Sequence, residues 1–255
     1  MTRASQKKKG SSAKERVAEI ARRLRPLAEG RGGGGSTFIE TLVATILSQN
    51  TSDINSARAY QQLRLSYPTW EDVASADPEE LADVIRSGGL AAQKSRTIIS
   101  TLRALHEHHG SFEPSHLDAT SDDDLLTELT SMRGIGLKTA ACVLMFSLGR
   151  DLCAVDTHVH RVANRLGIVS TAGAEKTFHD LRPLVPTGRA RQFHVSLIRF
   201  GRTICKAQRP HCFECPLYDL CAWEQKEAFA AAAAVGPRPV SGDLLLLDIL
   251  GDAGD

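Results

Sequence analysis

From Ala13 onward, apolar residues recur at intervals of three and four, and polar residues fill the positions between them. Residues 13–28 set Val17, Ile20, Ala21 and Leu24 on one face, the spacing of an amphipathic helix. The glycine-rich stretch 30–35 then breaks the pattern. Thr37 and Glu40 have the spacing of a capping box and open a second helix that buries Phe38, Leu42, Val43 and Ile46. Further helical segments are predicted at 53–66, 69–75, 78–87, 91–109, 121–131, 138–149, 157–167, 174–184 and 189–203. No alternating run is long enough for a strand, and no repeat of fixed period emerges. The pattern predicts an all-α protein built from many short helices.

The 255 residues leave room for one large domain or two modest ones. No stretch approaches the ~18 apolar residues of a membrane span. A net charge of +1 gives no global field for nucleic acid, but the charge is unevenly placed. Residues 181–213 carry Arg182, Arg189, Arg191, Arg199, Arg202, Lys206 and Arg209 without an Asp or Glu. That face suits phosphate contacts. Residues 1–12 form a basic, serine-containing tail with no apolar run, unlike a secretory signal. Residues 227–239 are alanine-rich, end in Gly-Pro-Arg-Pro and read as a linker; the apolar cluster at 244–250 is expected to dock back onto the body.

Three segments carry chemistry. Cys205, Cys212, Cys215 and Cys221 read C-x6-C-x2-C-x5-C, a density that suits four-thiolate ligation of an iron–sulfur cluster or a zinc ion. Disulfides are disfavoured because nothing else in the chain looks secreted. Second, Gly134-Ile135-Gly136 between two helical stretches predicts a tight hairpin, with bare N–H groups facing an anion at the start of the next helix. Lys138 falls in the first turn of that helix, where the macrodipole disfavours a cation by ~0.3–1 kcal/mol. A lysine there is either a phosphate contact or an amine made available as a nucleophile. Third, Asp156 opens the helix at Thr157 as its N-cap. A helix from Lys138 to Gly149 carries the chain out by about 17 Å. An extended 151–155 brings it back by about 16 Å, so Asp156 is expected near Lys138. Cys142 and Cys153 lie in apolar surroundings and read as core thiols. His160 reads as a surface residue, and Trp223 as packing over the cysteine loop.

Together the Gly134–Ala140 hairpin, the Val155-Asp156-Thr157-His158 segment and the four-cysteine loop resemble the endonuclease III family of DNA glycosylases, in the helix-hairpin-helix superfamily. The resemblance covers about residues 13–225. It implies a two-lobed fold: a six-helix barrel lobe over 36–150, and an iron–sulfur cluster lobe joining 13–35 to 151–225, with 226–255 as a C-terminal extension. It implies a [4Fe–4S] cluster on the four cysteines and damaged double-stranded DNA as partner. The implied activity is base excision of oxidised pyrimidines followed by β-elimination at the abasic site. Lys138 would be the nucleophile and Asp156 its assistant. Leu90 would wedge into the duplex once the base is flipped out. Gln49 or Asn50 would fill the gap. Gly134 and Gly136 would donate to phosphate, and His158, Lys206 and Arg209 would touch DNA. Carbonyls of Thr130, Met132 and Ile135 would hold a monovalent cation. A monomer associated with the prokaryotic nucleoid in the cytoplasm is expected.

The chain departs from the family pattern at Arg133, where a proline is usual, and in the small residues Gly88 and Ala91 beside the wedge. An adenine glycosylase shares the cluster spacing, but it lacks a lysine at the hairpin position and uses a glutamate where this chain has Ala44. Lys138 also disfavours a thymine-mismatch glycosylase. A lesion-binding paralogue with little catalysis and a zinc-stapled binding module are the readings from other classes.

Overall fold

The computed structural model describes residues 12–28 and 36–232. Most of the basic tail, the glycine-rich 30–35, the Gly-Pro-Arg-Pro segment and the apolar cluster at 244–250 lie outside them. Among the described residues there is no strand, and the chain divides into two compact units.

One unit spans 36–154. Its centre is α2 (Phe38–Ser48), an apolar helix in which only Glu40 and Ser48 escape burial. Thr37 and Glu40 close both halves of the capping box that starts it. Around α2 pack α3 (Asp53–Ser66), α6 (Ala91–His109) and α8 (Leu137–Ser147); α4 (Trp70–Ser75) and α5 (Pro78–Val84) pack on α6, and α7 (Asp122–Ser131) on α8. Removing a fully buried side chain such as Leu42 or Ile46 costs about 2–5 kcal/mol. Side chains of Ser52, Thr69, Asp77 and Ser121 cap α3, α4, α5 and α7. Helix α5 is shorter than its periodicity predicts. The backbone leaves helical geometry at Ile85, forms one 3-10 turn over Arg86–Gly88, and reverses at Gly89 with φ +68°.

The other unit joins 12–28 to 155–232. Helix α1 (Ala13–Ala28) buries Val17, Ile20 and Leu24 and packs along α11 (Ala190–Thr203). Helix α9 (Thr157–Arg165) also packs on α11, and α10 (Ala174–Leu181) on α9. The cysteine loop follows α11 as two 3-10 turns, and then a short α12 (Lys226–Ala231) packs on the first of them. The linker reading of 227–239 is therefore wrong for its first residues. Alanines favour helix, and the Lys226 ammonium fixes the start by donating to the carbonyls of Cys221 (2.7 Å) and Tyr218 (3.2 Å).

Candidate functional site

In the 36–154 unit, α7, the turn at 132–136 and α8 form the predicted hairpin. Its two glycines do different work. Gly134 sits at φ +90°, and a Cβ there would come 2.8 Å from Thr97 Oγ1 and 2.9 Å from Thr97 Cγ2. The fold itself therefore requires glycine. Gly136 has an ordinary φ of −93°, and a Cβ there would meet nothing within 4 Å. It is the N-cap of α8 and gives that helix no side-chain cap, so the first N–H groups of α8 are offered outward. Lys138 is the second residue of α8 and half-buried, while Arg133 is exposed. The Met132 carbonyl accepts the Ile135 N–H at 3.1 Å, which tightens the turn. Thr130 closes the end of α7, its hydroxyl donating to the Leu126 carbonyl at 2.7 Å. Gln49 reaches the hairpin from the end of α2; its Nε2 donates to Thr139 Oγ1 at 3.1 Å and to the Gly134 carbonyl at 3.4 Å.

Two other residues of this unit hold left-handed backbone despite carrying side chains. Asn50 has φ 52° and is exposed; Leu90 has φ 49° and is 54% exposed. Left-handed geometry is costly for a leucine. Lys94 joins their two segments. It is only 3% exposed, and its Nζ donates to the Leu47 carbonyl (2.7 Å) and the Gly88 carbonyl (2.8 Å). Burial pushes its amine down to about 8. Sequence reasoning missed this residue. The available signal was a lysine at 94 in register with Ile98 and Leu102, on the buried stripe of α6.

In the second unit, Asp156 caps α9, its Oδ1 accepting the Val159 N–H at 2.8 Å. His158 is half-buried, and burial lowers its pKa below the usual value. The neutral ring accepts from Arg161 Nη2 at 3.1 Å. Gly201 leaves room for this pair, since a Cβ there would come 3.0 Å from the Cβ of His158. His160 is not the surface residue expected. It is half-buried, with Nδ1 2.7 Å from Thr177 Oγ1 and 3.3 Å from Asn164 Nδ2, which knots α9 to α10.

The four cysteines form no disulfide; each is half-buried, along a loop held by two arginines of α9. Arg161 donates to the carbonyls of Gly201 (2.9 Å) and Cys205 (3.1 Å). Arg165 donates to those of Lys206 (2.7 Å) and Ala207 (3.0 Å) and lies 3.6 Å from Cys205 Sγ. Its guanidinium stacks 4.0 Å over Trp223, which packs on Phe229. Burial pushes the Cys215 thiol up to about 12 and raises Cys212 as well. Ionising such thiols takes a compensating positive centre, so the donor set fits a thiolate-bound metal group. Arg209, with φ 49°, stands exposed in the loop, and Lys206 is half-buried. Cys142 and Cys153 are buried in the other unit, each 3% exposed. No described helix is long and apolar enough to cross a membrane.

Comparison with known proteins places the family and the fold. Residues 43–187 match the model of the HhH-GPD superfamily of base excision DNA repair proteins. Endonuclease III of Thermotoga maritima is 39% identical over 72% of this chain and 83% of its own length. The Bacillus subtilis endonuclease III is 38% identical over 75% of this chain and 84% of its own. The fold is similar to that of an endonuclease III solved in a non-covalent complex with DNA, at TM-score 0.72 and 29% identity, covering 86% of this chain and 99% of that one. With its family model spanning more than half of the sequence, the chain belongs to the endonuclease III family of helix-hairpin-helix base excision repair proteins.

Proposed function

We propose that this protein is a bifunctional DNA glycosylase and abasic-site lyase that acts on oxidised pyrimidines in duplex DNA. The observation that carries the reading is α8, which starts uncapped at Gly136 and bears Lys138 in its first turn. Backbone N–H groups at Gly134 and Gly136 take a DNA phosphate, which brings the sugar of an extruded nucleotide to the lysine. The neutral amine of Lys138 attacks the anomeric carbon, and the bond to the base breaks with the pair of electrons leaving on the base. Loss of a proton and ring opening give an imine between Lys138 and the sugar. Removal of the adjacent C2′ proton then expels the 3′ phosphate, which nicks the strand. The Asp156 carboxylate stabilises the cationic sugar and relays these protons. Leu90, exposed on strained backbone, enters the stack. Asn50 fills the space left by the base, because Gln49 is engaged in holding the hairpin. His158, Lys206 and Arg209 contact the backbone, and carbonyls of Thr130, Met132 and Ile135 hold a monovalent cation behind the hairpin.

Cys205, Cys212, Cys215 and Cys221 hold a [4Fe–4S] cluster in this reading. When bound, the cluster would supply a cross-link between the four cysteines and the positive iron centre that half-buried thiolates need. Residues 206–211 are thereby fixed for contact with DNA. In this reading the barrel lobe and the cluster lobe act together on one DNA site, and the protein works as a monomer on the prokaryotic nucleoid.

The test is borohydride trapping on duplex DNA bearing one thymine glycol or one abasic site. Wild-type protein is expected to form a covalent adduct and Lys138→Ala none. Absence of an adduct from cluster-loaded wild type on either substrate sinks the lyase reading.

A further inference from the structure

The end of α6 and the middle of α7 hold a cluster that the excision chemistry does not use. His108 Nδ1 lies 2.8 Å and His109 Nε2 2.7 Å from the same oxygen, Oε1 of Glu128. The three ligand atoms all lie within 4.8 Å of one another. Adjacent residues on an α-helix point about 100° apart, so helix periodicity alone does not bring two neighbouring rings to one atom. They converge here by presenting different nitrogens at the point where Gly110 turns the chain left-handed. The His109 side chain is 5% exposed, that of Glu128 20% and that of His108 67%, so the cluster has a buried floor and an open side. The second nitrogen of His109, Nδ1, is 2.9 Å from Nε2 of His116.

We propose that His108, His109 and Glu128 form a binding site for a divalent transition-metal ion, zinc being the ion their chemistry best fits. Two imidazole nitrogens and one carboxylate oxygen are borderline ligands of the kind zinc takes, with the fourth position left to water on the exposed side. His116 completes the site from outside. With the ion on Nε2, His109 carries its proton on Nδ1 and donates it to His116, the arrangement that fixes the tautomer and orientation of a metal-bound ring. Binding displaces the hydrogens shared with Oε1, and the ligands open from 2.7–2.8 Å to the separation set by ~2.0–2.2 Å metal bonds. The ion then ties α6 to α7, three residues before the chain leaves α7 for the hairpin turn. This site does not depend on the catalytic reading above.

The experiment is calorimetric titration of zinc chloride into the full chain with its cluster in place, cluster retention being checked by its visible absorbance so that free cysteines do not compete. Wild type is expected to bind one equivalent. His108→Asn changes an exposed side chain that the fold does not need, and Glu128→Gln keeps the shape of its residue. Each should weaken binding by about 100-fold or more, since a direct ligand counts for more than the outer partners whose loss costs ~10–100-fold. Zinc should raise the thermal midpoint of wild type and leave both variants unmoved. No binding by wild type, or equal binding by the two variants, overturns the site.

Discussion

The hairpin glycines look equivalent in the sequence but differ in what a methyl group would meet. At Gly134 it would strike Thr97, and φ is positive, so Gly134→Ala combines a clash with backbone strain. A loss of about 1–3 kcal/mol in urea unfolding is expected. At Gly136 the methyl has open space and a permitted φ. Gly136→Ala should cost less in urea unfolding than Gly134→Ala, about 0.5–1 kcal/mol from the poorer N-cap, yet weaken binding to abasic-site DNA, the outcome expected if the methyl stands in the approach of the proposed phosphate. A Gly136→Ala protein with native affinity would show that this helix terminus does not face DNA. His158 adds a pH dependence. Its folded pKa lies below the unfolded value, so the stability it contributes is fully present above about pH 6.5 and is lost as pH falls through the folded value. Wild type and His158→Gln compared in urea at pH 7.5 and pH 5 should differ less at the lower pH.

At the scale of elements, most helix positions were legible because apolar residues recur at helical spacing, as in α1 and α9; α12, which buries no side chain, was not. Most starts were legible too, as Thr37, Ser121 and Asp156 are capping residues by type. The hairpin, the aspartate and the cysteine loop could be read from residue type and spacing. What could not be read was the wiring between elements. Lys94 donates to carbonyls of residues 47 and 88, and Arg165 reaches 206 and 207. Carbonyl acceptors carry no residue identity, so no sequence pattern announces them. His160 was misjudged for the related reason that its partner Thr177 lies on another helix. Lys94 should behave as a staple between the end of α2 and the turn before α6. Its folded pKa of about 8 lies below the ordinary lysine value of 10.5, so the unfolded chain binds more protons between those limits. The pH-dependent part of its contribution therefore rises with pH across that window, by at most about 3.4 kcal/mol at ~1.36 kcal/mol per unit, and adds nothing below it. Relative to Lys94→Met, wild type should gain stability between pH 8 and pH 10.5. A difference that does not change with pH would mean that Lys94 keeps its proton throughout.

At the scale of the whole molecule, the unit that holds the cysteine loop is assembled from two distant stretches of chain, joined by the packing of α1 on α11 and by polar ties at the loop. Arg16 of α1 donates to the Leu166 carbonyl at 2.6 Å and also to that of Leu220. Arg23 pairs with Asp219 at 2.6 Å and donates to the Pro216 carbonyl at 3.2 Å. Lys226 ties α12 to Cys221. All of these acceptors except Leu166 lie between Cys215 and Cys221, in a segment with few buried side chains of its own, Leu217 being the exception. Such a segment keeps its shape through cross-links rather than through core burial. If the four cysteines hold the proposed metal group, its loss should therefore act locally. Hydrogen exchange after Cys212→Ser, or after chelation, is expected to show lost protection across 205–226 and along α1. Helices α2 to α8 have their own core around α2 and should keep their protection. The Arg161 and Arg165 side chains would remain on α9 but lose their carbonyl acceptors, so the loop should loosen before α9 does. If protection instead fell equally in α2 to α8, the two units would unfold as one, and the cysteine loop would be fastening the whole protein.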